Sequence, residues 1–525
     1  MNNKLIKSVS VTMASLLLVG LAAGCAKEEK PIGTETATGN GNTTQVKEPV
    51  NLNFVINNSG RKYMEGTDAN NNDYIKYIRE KSGFNLRLNE LAADGYQDKL
   101  NVLLASGEQY DLIHSRDVSW VTNLAKQKAI LPLNDLIDKF APDIKKSMPP
   151  EIWDRVTFDG KIYALPGIST KLGDEIMYVR KDWLDKLGLQ PPKTLDEYTK
   201  VMKAFAEQDP DGNGKADTIG MLIGEKLARS GPYFGAFGVP IATNEAIKVN
   251  NWVERGGELV NAVVLPETKL ALKYMAELYK QKTLDQEWAL NKPKNIGEKI
   301  VSGKVGIFSA TWFDTKEPTV ILGSKKNDPK AEWISLPYPV GSEGKSGVGS
   351  KNPVGSYMVI PAKSTNAEST IKLLNFITKQ ENWEAIKLGL PEHNIWSRKD
   401  GKLTIDIAAH EKHIYRNVLV DLGSIWDAEL EGARLDATGL EFKMNENINI
   451  INKNVIANKY TGSPTPALAK YGVKLNQQLE ETFTKIIMGA LPLDDFDKFT
   501  AQFLKDGGEE LTKEVNEWYK ANKKK

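Results

Sequence analysis

A single cysteine in 525 residues leaves this chain no partner for an intramolecular disulfide. Only four histidines occur, and they are scattered, which argues against a zinc cluster. Charge of one sign is also missing. The 69 Lys plus Arg nearly cancel the 68 Asp plus Glu, so there is no electrostatic footprint for nucleic acid. Beyond the first two dozen residues no uninterrupted apolar segment approaches the roughly 20 residues that span a bilayer. Enzyme signatures are absent or broken. There is no G-x-S-x-G. His410-Glu-Lys-His413 misses the H-E-x-x-H spacing by one. Gly341-Ser-Glu-Gly344-Lys345-Ser346 is two residues short of a phosphate loop and has no helix after it. Carboxylates abound, so a glycosidase-type pair stays open as a rival reading.

The position of the lone thiol is informative. Cys25 follows Leu21-Ala22-Ala23-Gly24, with Lys4, Lys7 and the apolar run Val9 to Leu21 upstream. Charged n-region, apolar h-region and small residues before a cut are the parts of a secretory signal. The pattern resembles a bacterial lipoprotein signal peptide. That resemblance implies removal of residues 1–24, a lipid (diacylglycerol and palmitate-type chains) on Cys25, and anchoring at the outer face of a cell membrane, in a Gram-positive setting. Residues 25–49 are rich in Lys, Glu, Gly, Thr and Asn, without apolar periodicity. They read as a flexible tether.

Past the tether the pattern is α/β. Leu52 to Ile56 reads as a strand and Asn72 to Lys81 as a helix stopped by Gly83. Phe84, Leu86 and Leu88 alternate as a second strand. Tyr96 to Ser106 reads as helix, and Asp111 to His114 as strand. This βαβαβ order predicts a parallel sheet whose ligands bind beyond the carboxyl ends of the strands. Attention therefore falls on Asn57-Asn58-Ser59, Ser115-Arg116-Asp117 and Trp120. A second α/β region starts near Gly167, with a strand at Met177–Val179 and a capping box, Thr194-Leu-Asp-Glu197, opening a helix. The chain after Leu403 reads as mainly helical. Trp120, Tyr233, Phe234, Trp312 and Trp396 stand near loops or strand ends, where aromatic rings pack against the apolar faces of sugars.

Asp209-Pro-Asp211-Gly-Asn213-Gly214-Lys215-Ala-Asp217 has oxygen donors at alternate positions and glycine at the sixth. That spacing wraps a hard cation, with Lys215 giving its carbonyl oxygen. The twelfth position is Gly220, where an EF-hand has glutamate, and a strand signal follows instead of a helix. The expectation is a structural Ca2+ loop between helix and strand.

These segments together resemble the extracellular solute-binding proteins of ABC importers, family 1, the carbohydrate-binding group. The resemblance rests on Leu104-Ala-Ser-Gly-Glu108 before Tyr110-Asp-Leu-Ile113, and on Gly160-Lys-Ile-Tyr-Ala-Leu-Pro166 before Met177 to Leu184. It continues in Gly303 to Phe308 leading to Trp312. The calcium loop is similar to that of alginate- and other uronide-binding members. The resemblance implies a two-lobed, periplasmic-binding-protein-like clamshell with hinge crossovers and a helical C-terminal part. Lobe 1 would hold 50–167 and 340–400, lobe 2 168–339 and 401–525. It implies a monomeric receptor, not an enzyme, that passes an oligosaccharide, neutral or acidic, to a membrane permease. It also implies ligand contacts at Ser59, Arg116, Asp117, Trp120, Tyr233, Phe234, Trp312 and Trp396. Asp117 would bind hydroxyls, and Tyr233, Phe234 and Trp312 would stack on rings.

Overall fold

Leu52, Phe54 and Ile56 are all buried, and so is Val55 between them, so the first strand is covered on both faces. The structure, a computed structural model, describes residues 48–523 apart from 93, 242, 424 and 426. The expectations for the signal 1–24, for Cys25 and for the tether up to residue 47 fall outside the described residues.

Nine strands build two main sheets: β1 Asn51–Asn57, β2 Asn85–Leu91, β3 Leu112–Ser115, β4 Leu165–Ile168, β5 Glu175–Arg180, β6 Ile219–Leu222, β7 Val305–Thr311, β8 Trp333–Leu336 and β9 Val354–Val359. The first sheet has the order β2-β1-β3-β9-β4. β1 runs parallel to β2, with Leu52 opposite Leu86, and parallel to β3, with Phe54 opposite Leu112. The predicted helices supply the crossovers. Asn72 caps Asp73–Ser82, accepting from the N–H groups of Tyr74 and Ile75 at 3.1 Å. Gly83 stops that helix at φ 73°, a left-handed position glycine occupies without strain.

The second sheet has the order β8-β5-β7-β6. Every residue of β5 and β7 is buried. β5 is antiparallel to β7 and β8, and β7 is parallel to β6. The capping box at Thr194 forms as read, opening Leu195–Glu207. The closing helices Pro466–Ile487, Asp495–Phe503 and Glu509–Asn522 bury Leu479, Phe483, Phe503 and Val515 in this lobe's core.

The lobe boundary after residue 400 requires a correction. Tyr415, Val418, Leu419 and Leu422 recur at near-helical spacing and pack into the first lobe's core, so 401–422 stays with lobe 1. The hairpin Trp396–Lys399 with Lys402–Ile405 lies against that lobe too, through Leu403 on Trp383 and Leu388. The chain rejoins the second lobe at the helix Met444–Lys453, whose Ile451 packs with Ile176 and Tyr178.

The lobes are joined where β4 and β9 pair, Gly167 facing Ser356. A side-chain carbon at Gly167 would collide with the Ser356 hydroxyl.

Candidate functional site

Beside this strand pair lies a cavity of about 350 Å³. Its walls come from distant stretches of sequence: Gly167 to Lys171, Gly355 and Ser356, the helix carrying Trp383 and Lys387, the loop around Asp421, and Glu431. Both connecting segments take part, so rotation of one lobe against the other changes the cavity's shape.

Charge is distributed unevenly across it. Glu431 accepts from Lys171 at 2.9 Å and from Arg434 at 2.8 and 3.1 Å, and Lys387 stands 3.3 Å away. These cations hold the Glu431 carboxyl well below the usual range despite its burial. Burial, opposed by Glu431 and reinforced by Arg434 and Lys171, pulls the Lys387 amine down. The ammonium of Lys171 also lies 5.0 Å from the centre of the Trp312 ring.

The opposite wall is the end of β3. Arg116 meets Asp421 at 3.4 Å, and His114 Nε2 is 3.7 Å from the same carboxylate. His114 is 2% exposed and neither ring nitrogen has a hydrogen-bond partner among the described residues. Burial pushes its pKa down to about 4. Arg61 is held below its ordinary value by burial and feels Asp421 and Arg116.

The expected site residues divide. Arg116 lines the cavity, and Trp312 reaches it only through Lys171. Asp117 is engaged as a helix cap, accepting from Ser119 at 2.8 Å and Trp120 at 3.2 Å. Trp120 is buried, its indole N–H on Asn101. Ser59 is exposed on a turn at φ 52°. Trp396 donates to the Gly389 carbonyl and packs beside Trp383, outside the cavity lining. Tyr233 and Phe234 are corrected outright: both are 0% exposed in the second lobe's core. The short helix Gly231–Gly235 carries them inward, and the Tyr233 hydroxyl faces the Met202 sulfur at 3.9 Å. The sequence reading missed Trp383, Lys171, Lys387 and Glu431. Lys171 follows a connecting strand, a signal that could have been used. The others sit on ordinary amphipathic helices.

The loop 209–217, read from sequence as a cation loop, has its oxygen-bearing side chains together. Asp209 accepts from the backbone N–H groups of Gly212, Asn213 and Gly214 at 3.0–3.1 Å. The Asn213 amide donates to Asp211 at 2.8 Å and Asp217 at 3.1 Å. Three carboxylates, an amide and the Lys215 carbonyl suit a hard cation in kind. In this arrangement the Asn213 amide bridges two of the acids, and Lys304 pairs with Asp217 at 3.2 Å. No group of three His, Cys, Asp or Glu side chains among the described residues closes to metal-holding geometry. Gly220 cannot supply a twelfth ligand: it lies within β6, where a side-chain carbon would strike the Met202 carbonyl.

Residues 73–388 match the family described as bacterial extracellular solute-binding protein. A polygalacturonan/rhamnogalacturonan-binding protein of Bacillus subtilis is 26% identical over 462 residues, 86% of this chain and 88% of its own. Lipoprotein LipO of the same organism is 24% identical over 526 residues, 97% of this chain and 98% of its own. Among solved structures, alginate-binding protein AlgQ2 without calcium ion superposes with a TM-score of 0.65 at 22% identity, covering 90% of this chain and 98% of that one. At that identity the likeness establishes the two-lobed fold.

Proposed function

This chain belongs to the bacterial extracellular solute-binding proteins, and from that premise we propose that it captures an oligosaccharide between its lobes and hands it to the permease of an ABC importer. The observation that carries the reading is the cavity's position, with both connecting segments in its wall. Ligand favours the closed arrangement by touching both sides, and the closed form is what a permease can distinguish from the empty one. A glycan ligand is supported by the relative named for binding polygalacturonan and rhamnogalacturonan. The family is one of solute-binding proteins, not enzymes.

Three finer points belong to the same proposal. Lipid on Cys25 anchors the receptor to the membrane, which the likeness to a lipoprotein along 97% of the chain supports. Replacing Cys25 with Ser should release it from washed membranes. The receptor acts as a monomer. Asp209, Asp211, Asn213, Lys215 and Asp217 hold a structural Ca2+, which the donor chemistry of the loop supports.

Thermal-shift screening against oligosaccharides tests the central reading. A ligand that binds only the native state at a hundredfold over Kd should stabilise it by about 2.7 kcal/mol. If no neutral or acidic oligosaccharide raises the melting temperature, the receptor reading is wrong.

A further inference from the structure

We infer that the floor of the cavity reads a carboxylate on the sugar: Lys171 and Lys387, backed by Arg434, form an anion subsite that Glu431 only part-fills. The inference rests on the reading that an oligosaccharide binds in this cavity, and it names the chemical class, a uronic-acid oligosaccharide.

The charge count carries it. Three cations converge on one carboxylate, at 2.8 Å for Arg434, 2.9 Å for Lys171 and 3.3 Å for Lys387. All four side chains are sheltered, 11 to 22% exposed. Asp427 lines the same cavity and keeps its charge while capping a helix, so one positive charge remains in excess where water screens poorly. Asp427 accepts from the Leu430 N–H at 2.8 Å as a helix cap, and Asp421 pairs with Arg116 at 3.4 Å across the cavity. The Lys387 amine is depressed chiefly by burial, with Glu431 opposing and Arg434 and Lys171 adding smaller downward pulls. A neutral sugar could accept hydrogen bonds here but could not cancel that charge. A carboxylate can.

The surroundings suit a charged sugar ring. Lys387 stands 5.6 Å from the Trp383 ring centre and Lys171 5.0 Å from that of Trp312. Each ammonium is thus held beside an indole, and Trp383 itself lines the cavity. A hexuronate presents an apolar ring face and a carboxylate at its edge, which matches a ring platform with a cation at its margin. Lys171 sits in a connecting segment and Lys387 in the first lobe. An anion between them would tie the connection to that lobe, so charge neutralisation and closure become one event.

Calorimetric titration with trigalacturonate and with its carboxyl-reduced, neutral counterpart, at low and high salt, decides the matter. The acid should bind at least tenfold more tightly, with the difference shrinking as salt rises. Lys387→Met should cost the acid far more affinity than the neutral trimer and so remove most of that preference. Should Lys387→Met fold poorly, Lys171→Met, in the connecting segment, is read in the same way. A neutral trimer that binds as tightly as the acid overturns the inference and leaves the receptor reading intact. Equal losses for both trimers in the variants do the same, as does binding of neutral oligosaccharides only. Failure of every oligosaccharide, acidic or neutral, defeats both.

Discussion

The two lobes treat buried ionisable groups in opposite ways. All four histidines of the chain, at 114, 393, 410 and 413, belong to the first lobe or to the 390–422 segment packed on it. The second lobe has none. Its fully buried ionisable side chain beside the connection is an acid, Glu175, which accepts from the Ser309 hydroxyl at 2.7 Å. The aromatic residues divide as well. The second lobe buries Trp183, Trp252, Trp288 and Tyr233 completely, whereas the cavity is walled mostly by first-lobe and connecting residues that carry charge. In this molecule fully buried tryptophans mark the second lobe, and a cluster of ion pairs marks the cavity wall.

The sharpest way to break that contrast is Tyr233→Ala. If Tyr233 is core, truncation should destabilise the protein by about 3–5 kcal/mol, the range for large buried aromatics. Ligand affinity of the remaining folded protein should not change. Denaturant melts paired with calorimetric titration measure both. A small stability loss with a large affinity loss would return Tyr233 to the cleft and erase the distinction between the lobes.

Acid should next separate the lobes. Burial holds His114, His410 and His413 neutral, with pKa values pushed down to about 4 from an ordinary 6.5. Between those values the unfolded chain binds protons that the native state refuses. Stability is therefore complete above pH 6.5 and is lost as pH falls through 4. His114 alone, 2% exposed, contributes up to about 3 kcal/mol at the usual conversion. Hydrogen exchange followed by mass spectrometry should find amides of β3 and its neighbours opening more at pH 5 than at pH 7, after correction for intrinsic rates. His114→Gln should reduce the slope. Acid protection lost equally in both lobes would refute the assignment.

Glu175 should give the mirror image in the second lobe, and a smaller one because a single group is involved. Burial raises its pKa to about 7. The native state keeps a proton that the unfolded chain releases above about 4.5. Stability from this group is full below 4.5 and is lost as pH rises through 7. Glu175→Gln, which keeps the shape and cannot ionise, should flatten the second lobe's decline between pH 5 and 8. An unchanged profile in that variant would show that Glu175 is ionised throughout.

What could be read in advance follows the same division. Strands, helices and the βαβαβ order were legible because apolar period and stop residues are local: Asn72, Gly83 and the Thr194 box act within a few residues of themselves. Arg116 was singled out because it follows a parallel strand, and it does line the cavity. Tyr233 and Phe234 were misread because proximity to a loop says nothing about which way a short helix turns its faces. Apart from Lys171, which follows a connecting strand, the floor of the cavity carried no local signal. Lys171 lies more than two hundred residues before Lys387 and Glu431, and the three meet only in the folded protein. The boundary after 400 failed for a related reason, since the apolar stripe at 415–422 fits either core until both exist.

The smallest expected effect is calcium's, and it should be confined to the second lobe. The loop 209–217 joins the helix Leu195–Glu207 to β6, so a cation there fixes one connection without touching the cavity. Binding to the native state alone, at tenfold over Kd, is worth about 1.4 kcal/mol by mass action. Chelator should lower the melting temperature of metal-free-prepared and reloaded protein by a few degrees at most, and slow exchange of β6 amides should be lost with it. Asp211→Ala should abolish the response. Asp211 is the informative choice because its carboxylate is one of two bridged by the Asn213 amide, whereas Asp209 already satisfies three backbone N–H groups and its loss would damage the turn with or without metal. If chelator has no effect on the wild type, the Asn213 amide and Lys304 are sufficient partners for these acids, and the loop is a self-closed polar turn. If chelator instead opens first-lobe amides, the lobes are energetically coupled and the comparison between them must be redrawn.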